Sequence, residues 1–351
     1  MTRFTIAANN AQVGGGEVML LAIAQALQDL GHDVHVVAPA AQEGVGREAT
    51  RRGLATTAIT GHGRRAYMAN LRRWDTSERE GVLWCNGHVP ALATAGHPLR
   101  VVHLHQAPSR VHVLAGRLAG AGALATLVPS RSMAQGLLGA QIVPNWNAPV
   151  QAVPRPAPAP GDPVTLGFLG RPSPDKGVLV LAQALGLLDD AEPGRYRLVL
   201  AGEPRFVAPE EQERVEAALA PVAHLVERPG WMERSEFFSS VDLAVFPSVW
   251  AEPFGLMVSE AMSAQVPFVV SDAGALPEVA GPAHPWVVPA GDPVALAATV
   301  RAAVAAPEAQ RRDALEAARA RWQERFSPAA GTARLRSLLT DILPRCTQAL
   351  A

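Results

Sequence analysis

Lysine and cysteine are nearly absent from the sequence. Among its 31 basic residues the only lysine is Lys176, and all the others are arginines. The two cysteines, Cys85 and Cys346, are too few for a disulfide framework or for a metal cluster built on cysteine ligands. This cysteine usage favours a reducing compartment, so we expect a cytoplasmic protein and no metal site.

Long apolar runs are absent as well. No stretch of about 18 consecutive apolar residues occurs, so the sequence predicts no membrane-spanning helix. The amino terminus becomes polar at Asn9, before the apolar core of a signal peptide could form. With 351 residues, 48% of them hydrophobic, the chain is long enough for two hydrophobic cores, and we expect two domains of comparable size.

An excess of charge of one sign is also missing, since the formal net charge is only −1. This balance argues against nucleic-acid binding. The halves nevertheless differ: residues 1–150 hold 13 arginines against 8 acidic residues, and residues 151–351 hold 18 basic against 24 acidic residues. The basic first half fits an anionic ligand or a membrane surface, and it equally fits an ordinary scatter of solvated charge.

Two stretches of alternating strand and helix patterns flank a proline-rich segment. In the first stretch the strand patterns lie at residues 4–8, 34–38, 82–85, 101–105, 125–128 and 141–143. Residues 149–163 contain six prolines and no periodicity, so they predict an extended linker. The strand patterns resume at residues 164–169, 196–201, 224–226, 243–246 and 268–270. Residues 292–345 predict consecutive helices broken at Pro307 and Pro328.

Strands that alternate with helices indicate βαβ units, and therefore parallel sheets covered by helices on both faces. The sequence predicts an α/β protein with one doubly wound, Rossmann-like domain at residues 1–148 and a second at residues 164–325. Residues 326–351 are expected to form a helix that crosses back to the first domain. Open parallel sheets bind ligands outside the carboxyl ends of their strands, so we expect the site in a cleft that both domains face.

The first cluster of candidate site residues is the turn at residues 170–177, which follows a predicted strand and opens a helix. Arg171 offers a planar fork of donors and Lys176 a compact ammonium, both near a helix amino terminus that already favours anions. The alternative is a turn whose charges are solvated. Because the only lysine of the chain falls in this turn, we favour a role in binding a diphosphate.

The second cluster, at residues 247–262, again follows a predicted strand and enters a helix. Gly255 allows the backbone to approach a ligand closely, and the first amides of the helix would point towards that ligand. Glu260 lies two turns further in on a mostly apolar face, where a carboxylate needs a hydroxyl or a cation as its partner. A ribose would supply hydroxyls to Glu260, and a transferred sugar to Glu252. The alternative is a capping Glu252 and a salt-bridged Glu260.

Together the two clusters resemble retaining GT-B glycosyltransferases of the family-4 type. The shared motifs are the Gly-Arg-x-Ser-Pro-x-Lys-Gly turn and the Glu-Pro-Phe-Gly segment with a second glutamate eight positions after the first. Further matches lie at residues 14–17, 31–34, 142–145, 247–248 and 274–278. The resemblance covers nearly the whole chain in the same order, and it implies the GT-B architecture of two Rossmann-like domains facing each other across a cleft.

The resemblance implies transfer of a sugar from a UDP- or GDP-linked donor to a hydroxyl acceptor, such as a lipid, a glycan or a natural product, with retention of the anomeric configuration. No cofactor and no metal ion would take part, because Arg171 and Lys176 would stabilise the diphosphate leaving group. An anionic or lipid-linked acceptor would fit the basic first half, and with it a peripheral contact with the inner membrane face.

The resemblance also assigns individual residues. The donor-binding residues that it implies are Gly15, Gly16, Arg171, Lys176, Glu252, Phe254, Gly255, Leu256 and Glu260. Gly15 and Gly16 would approach the diphosphate when the domains close. The implied catalytic residues are Arg171, Lys176, His105 and Glu252, the last as a residue that positions the sugar rather than as a nucleophile.

Three histidines of the first domain are further candidates. The family presents a histidine after a strand, near the anomeric carbon, and His105 falls at that position. By the two-residue period of a strand, His103 would point to the same face of the sheet as His105, one step deeper in the strand. The alternative for both is a hydrogen-bonded core residue. His88 follows another predicted strand and is a candidate for the acceptor side.

Three arginine pairs lie in the first domain, at residues 51–52, 64–65 and 72–73, and the second and third flank apolar residues at helical spacing. One interpretation is a surface for an anionic lipid or a phosphorylated acceptor. The other, which we favour, is an amphipathic helix whose apolar residues pack into the core.

Other functions remain open. A GT-B epimerase would need further acid–base residues, which the spacing of Glu252 and Glu260 does not indicate. A phosphorylase would use a lysine for pyridoxal phosphate, and Lys176 is already placed in the diphosphate turn. A catalytically degenerate, nucleotide-sugar-binding partner subunit would tend to lose this clamp, which is present here. The base is expected to lie near residues 228–231, which do not decide its identity.

Overall fold

The chain divides into two α/β units. In a computed structural model the described residues are 1–106, 116–137, 139–153, 155–159 and 161–350. Unit 1 comprises Met1–Trp146 and Ser327–Ala351, and unit 2 comprises Asn147–Phe326. Pro154 and Pro160 of the proposed linker lie outside the described residues.

Unit 1 is built on a seven-stranded parallel sheet with the order β3-β2-β1-β4-β5-β6-β7. Its strands are β1 (Arg3–Ala8), β2 (Asp33–Pro39), β3 (Ala55–Ile59), β4 (Val82–Asn86), β5 (Arg100–His103), β6 (Ala125–Val128) and β7 (Gln141–Ile142). Its helices are α1 (Gly15–Asp29), α2 (Val45–Arg51), α3 (Gly63–Ser77), α4 (His88–Ala93), α5 (described over residues 116–120), α6 (Arg131–Ala134) and α14 (Pro328–Leu350). The strand order reverses between β1 and β4, where a ligand site is expected.

Unit 2 has a six-stranded parallel sheet with the order β10-β9-β8-β11-β12-β13. Its strands are β8 (Val164–Leu169), β9 (Tyr196–Ala201), β10 (Val226–Gly230), β11 (Leu243–Phe246), β12 (Phe268–Ser271) and β13 (Val287–Val288). Its helices are α7 (Val178–Ala191), α8 (Pro209–Leu219), α9 (Arg234–Ser240), α10 (Leu256–Ala264), α11 (Leu276–Ala280), α12 (Pro293–Val304) and α13 (Glu308–Arg325), with a 3-10 helix at Ala220–Leu225. Here the order reverses between β8 and β11.

The central strands of both sheets are apolar because helices cover both of their faces. All five residues of β4 are buried. In unit 2 the side chains of the sheet divide between two hydrophobic clusters, one under α7 and α12 and the other under α9, α10 and α13. The packing of these sheets fixes the positions of the strand ends, and the candidate site residues lie on the loops that follow them.

Helix α3 carries the second and third arginine pairs and is amphipathic. Tyr67, Leu71 and Trp74 are buried against the sheet, so the packing interpretation is confirmed for the apolar residues. The guanidinium of Arg72 donates hydrogen bonds to the carbonyls of Ala93 and Ala95, at 3.0 and 3.2 Å. The arginines of both pairs lie on the outer face of the helix and are exposed.

Arg100, at the start of β5, is fully buried and serves the fold of unit 1. Its guanidinium donates to the carbonyl oxygens of His97, Ala91, Ala119 and Ala121 at 2.7–3.1 Å. The acceptors belong to α4, α5 and the loops around them, so one side chain satisfies carbonyls at several helix ends.

Some predicted boundaries are corrected by the structure. The strand predicted at residues 101–105 ends at His103, so His105 lies beyond it. The strand predicted at residues 224–226 begins only at Val226, because the preceding residues form the 3-10 helix. The helix breaks at Pro307 and Pro328 are confirmed. Within the described part of the chain, no helix combines the length and the apolar character needed to cross a membrane.

Candidate functional site

The two sequence clusters of unit 2 lie on the loops that follow β8 and β11, the neighbouring strands at which the strand order reverses. The loops are joined through their backbones. The carbonyl of Asp175 accepts hydrogen bonds from the amides of Val249 and Trp250, at 2.9 and 3.3 Å. Gly177 has a φ of +77°, and a Cβ at this position would clash with the carbonyl oxygen of Pro247. Only glycine fits this close approach.

Lys176 and Glu252, one from each loop, form a salt bridge. The lysine Nζ lies 2.6 Å from Oε1 of Glu252 and 5.9 Å from the centre of the Trp250 ring. Glu252 is 4% exposed, and the same Oε1 also accepts a 2.6 Å hydrogen bond from the Ser248 hydroxyl. Both candidate residues are therefore held in place at the switch point of the sheet.

The backbone of Glu252 is fixed by the third loop of this edge, which follows β12. The amide of Ala275 donates to the Glu252 carbonyl at 2.9 Å. Gly274 has a φ of +61°, and a Cβ there would clash with the backbone of Glu252. The matching motif at residues 274–278 thus supports the position of Glu252.

Arg171 is held within its own turn. Its Nη2 lies 3.1 Å from Oδ2 of Asp175, and the other oxygen of that carboxylate accepts a hydrogen bond from the Ser173 hydroxyl. The Arg171 side chain is about one third exposed. The guanidinium is thus positioned by Asp175 and remains accessible to an anion.

Helix α10 begins directly after this loop. Gly255 precedes the helix, and the amides of its first turn have no acceptor inside it, as at any helix amino terminus. Phe254 is buried against Phe326, with ring centres 5.4 Å apart. This packing anchors the start of the helix, where Leu256 is partly buried.

Glu260 lies one turn further along α10 and is almost completely buried. Oε1 accepts a 3.4 Å hydrogen bond from Nε of Arg234, and Oε2 has no partner among the described residues. Burial raises the pKa of this carboxyl group, and the Arg234 charge opposes that shift. A buried carboxylate oxygen without a partner is costly, so the site favours a ligand that donates a hydrogen bond.

The candidates of unit 1 meet where β1 and β4 end. The side-chain nitrogen Nδ2 of Asn86 donates to the Gly16 carbonyl at 2.9 Å, and the side-chain oxygen Oδ1 of Asn86 lies 2.9 Å from Nε2 of His105. That oxygen can only accept, so Nε2 of His105 is the donor and Nδ1 of the neutral ring is an acceptor. Burial lowers the pKa of His105 to about 4, with a smaller contribution from His88.

The loop that leads into α1 is closed by Glu17. Its carboxylate accepts hydrogen bonds from the amides of Asn10 and Gly14, at 3.2 and 3.3 Å. Burial raises the pKa of this group. Gly15 is the first residue of α1, so Glu17 fixes the loop that directly precedes Gly15 and Gly16.

His103 and His88 have different surroundings. His103 is fully buried in β5, and its ring centre lies 4.1 Å from that of His105 and 5.9 Å from that of Trp84. Burial lowers the pKa of His103 well below the usual value. His88 begins α4 and is partly exposed. His103 is thus a core residue whose ring contacts that of His105, whereas His88 is only partly buried.

The structure therefore gathers the candidates into two groups, one in each unit, and it adds residues to which the sequence assigned no role. These additions are Asn86, Asp175, Arg234 and Ser248. Asn86 comes directly after a predicted strand and Ser248 two residues after another, as site residues of parallel sheets do, and Ser248 also lies in the matching motif at residues 247–248. Arg234 lies on another helix, and nothing in the sequence links it to Glu260.

Comparison with known proteins identifies the domain that holds the candidate residues of unit 2. Residues 163–306 match the family model described as Glycosyl transferases group 1. The chain carries a group 1 glycosyltransferase domain. A stretch of 109 residues is 35% identical to the MMP alpha-(1->4)-mannosyltransferase of Mycolicibacterium hassiacum, and it covers 31% of this chain and 26% of that relative.

The GT-B fold of the whole chain is shown by solved structures. HepE of Anabaena in complex with UDP and glucose aligns with a TM-score of 0.81 and 18% identity, over 97% of this chain and all of HepE. Sucrose-phosphate synthase from Thermosynechococcus elongatus aligns with a TM-score of 0.79 and 17% identity, over 98% of this chain and all of that one. Lys176, Glu252 and Glu260 all lie within the group 1 domain.

Proposed function

We propose that this protein is a retaining glycosyltransferase that takes its sugar from a nucleoside diphosphate donor. The observation that carries the proposal is the junction of Lys176 and Glu252 at the switch point of a group 1 domain. The only lysine of the chain and a buried carboxylate are paired there, beside the amino terminus of α10. This arrangement offers positive charge to a diphosphate and hydrogen-bond acceptors to sugar hydroxyls.

Each charged group has one role in the proposed donor site. Arg171 and Lys176 bind the diphosphate and stabilise the negative charge that develops on it as the glycosidic bond breaks. Because these two cations supply the positive charge, we propose that the transfer needs no metal ion and no cofactor. Glu260 accepts a hydrogen bond from the ribose through its unpartnered Oε2.

Glu252 is proposed to bind the transferred sugar without forming a covalent bond to it. Its Oε1 already accepts hydrogen bonds from Lys176 and Ser248, which suits a fixed acceptor better than an attacking group. Retention then follows from attack on the face that the diphosphate leaves, with the leaving phosphate taking the proton of the acceptor hydroxyl.

The base of the donor is proposed to be uracil or guanine. HepE was solved with UDP-glucose, and the curated relative is a mannosyltransferase by name. At the carboxyl end of β10, Arg228 pairs with Glu216 through two 2.6 Å hydrogen bonds, whereas the Trp231 side chain is exposed. An exposed indole ring offers a stacking surface to any base, so it does not select between the two.

The acceptor is proposed to bind to unit 1, through a hydroxyl group near His105. Nδ1 of a neutral His105, which has no hydrogen-bond partner among the described residues, can accept a hydrogen bond from a sugar or acceptor hydroxyl. Exposed arginines of α3, such as Arg64, Arg65 and Arg73, favour an anionic or lipid-linked acceptor and a peripheral membrane contact.

The proposal is tested with a thermal-shift panel of UDP, GDP and ADP and their sugar conjugates. A ligand at a hundred times its Kd should stabilise the native protein by about 2.7 kcal/mol, a shift of several degrees. We expect one base to stabilise the wild type and to lose most of that effect in Lys176→Ala. The matched control is Arg312→Ala, which removes an exposed cation of α13 and should respond like the wild type.

The panel also separates the alternatives. If no nucleotide shifts the melting temperature at millimolar concentration, the donor site and the proposed function are rejected. If a nucleotide sugar binds, incubation with it and analysis of the products distinguish transfer or slow hydrolysis from epimerisation of the donor. A protein that binds the donor but never consumes it, with any acceptor class, would be a catalytically degenerate subunit.

A further inference from the structure

The two carboxylate oxygens of Glu252 have different environments. Oε1 accepts hydrogen bonds from both Lys176 and Ser248, each at 2.6 Å. Among the described residues, no hydrogen bond ends on Oε2. A bound ligand would therefore meet a carboxylate with one oxygen occupied and the other available.

Ser248 is itself rigidly placed. It is 3% exposed and follows the end of β11 by two residues. Its carbonyl oxygen accepts a 2.6 Å hydrogen bond from the hydroxyl of Ser271, which ends β12. The next residue, Val249, donates its amide to the Asp175 carbonyl at 2.9 Å. The backbone that carries the Ser248 hydroxyl is thus fixed by hydrogen bonds to the loop after β8 and to the end of β12.

The two donors to Oε1 differ in how firmly they are placed. Lys176 is a point charge at the end of a flexible four-carbon chain, and it is the cation that a diphosphate would attract. Ser248 has a single rotatable bond to its hydroxyl and no charge. A bound diphosphate would therefore compete with Glu252 for Lys176, and it would leave the contact with Ser248 intact.

We propose that Ser248 is a positioning residue for sugar recognition. It keeps Oε1 of Glu252 occupied while Lys176 serves the diphosphate, and so directs Oε2 to a hydroxyl of the transferred sugar. This inference rests on the proposed function, and it concerns only the sugar part of the donor. Removal of the Ser248 hydroxyl should thus weaken binding of a nucleotide sugar and leave binding of the bare nucleotide unchanged.

The test compares the affinities for UDP and UDP-glucose by titration calorimetry, or for GDP and GDP-mannose if the panel selects guanine. The variants are Ser248→Ala and Ser248→Cys, which remove or weaken the donor with little change of volume. We expect the affinity for the nucleotide sugar to fall about tenfold, as for the loss of a hydrogen bond to a charged group, with the nucleotide affinity unchanged. The control is Ser240→Ala, which removes a hydroxyl that donates to the Phe237 carbonyl within α9.

A double-mutant cycle shows whether the effect runs through Glu252. In a Glu252→Gln background, Ser248→Ala should cause little further loss of nucleotide-sugar affinity, because the group that it positions is already altered. Equal losses in both backgrounds would overturn the proposal. So would a parallel loss of nucleotide and nucleotide-sugar affinity, which is the sign of a general structural defect.

The two proposals fail differently. If the wild type binds no nucleotide, the proposed function is rejected and this inference falls with it. If the wild type binds both ligands and neither Ser248 variant changes their affinity ratio, only the role of Ser248 is rejected.

Discussion

The ammonium of Lys176 lies 2.6 Å from Oε1 of Glu252, so a salt bridge joins two loops whose residues are 76 positions apart in the sequence. The carboxylate is buried and the ammonium is mostly buried. A pair of this kind stabilises a structure little in total, but the loss of one partner leaves a charge without compensation. The pair therefore makes a prediction for the ligand-free protein as well as for binding.

Lys176→Met should lower the free energy of unfolding of the ligand-free protein by about 1–3 kcal/mol, because Glu252 then lacks its cation. The double variant Lys176→Met, Glu252→Gln should recover most of this loss while still failing to bind a nucleoside diphosphate. Urea denaturation of the four proteins measures the coupling. If the loss of unfolding free energy in the double variant equals the sum of the losses in the two single variants, the two residues do not act as a pair.

Glu260 predicts a conflict between stability and binding. Burial raises its pKa, so this carboxyl group favours folding below its unfolded pKa, and that contribution is lost as the pH rises through the raised pKa. Glu260→Gln removes the ionisation. We expect it to melt at a higher temperature than the wild type at neutral pH, with the difference shrinking as the pH falls through the raised pKa towards the ordinary value.

The same variant should bind the nucleotide more weakly, because an amide oxygen is a poorer acceptor for ribose hydroxyls than a carboxylate. Glu236→Gln, which alters a residue in the first turn of α9, is the control for a general effect of losing a negative charge. A Glu260→Gln protein that is less stable at neutral pH would show that Arg234 outweighs the cost of burial.

Much of the fold follows from residues whose pattern reflects burial. Residues 164–169 and 196–201 are mostly apolar because strands in the middle of a parallel sheet are covered by helices on both faces, and the structure has both strands at those bounds. Strand β3 was not predicted, since Ala55–Ile59 lies at the edge of the sheet and four of its five residues are not buried. Which residues of an edge strand are apolar depends on the segments that pack against it, and the sequence of the strand alone does not identify those segments.

The candidate site was predictable to a similar degree. Glycine-rich turns after strands, together with the single lysine, indicated the loops of unit 2. The partner of each charge was not predictable, because the Lys176–Glu252 and Arg234–Glu260 pairs join segments that only the folded sheet brings together. Ser248 lay within the second cluster, but its role depends on a side-chain distance.

Arg100 should be essential for the stability of unit 1. Arg100→Met removes four hydrogen bonds and leaves buried carbonyl groups without donors, so we expect a loss of at least about 3 kcal/mol. Arg73→Met, on the exposed face of α3, is the matched control and should stay within about 0.5 kcal/mol of the wild type. Chemical denaturation followed by fluorescence checks both. Similar values for the two variants would contradict the role given to Arg100.

His105 predicts how the protein responds to acid. Its folded pKa is about 4, below the ordinary value of 6.5, because burial disfavours the imidazolium. Between these two values the unfolded chain binds a proton at this residue that the folded chain does not bind, so stability falls as the pH decreases. His105→Gln does not titrate and can still donate to Oδ1 of Asn86. We therefore expect it to lose fewer degrees of melting temperature than the wild type between pH 7 and pH 4.5.

The control for this prediction is His62→Gln, which changes an exposed histidine at the start of α3 and should leave the acid profile as in the wild type. Part of the acid response should persist in His105→Gln, since burial also lowers the pKa of His103. The prediction is wrong if His105→Gln and the wild type lose the same number of degrees. In that case His105 is accessible to protons in the folded protein, and a general-base role with a pKa nearer neutrality would have to be considered for it.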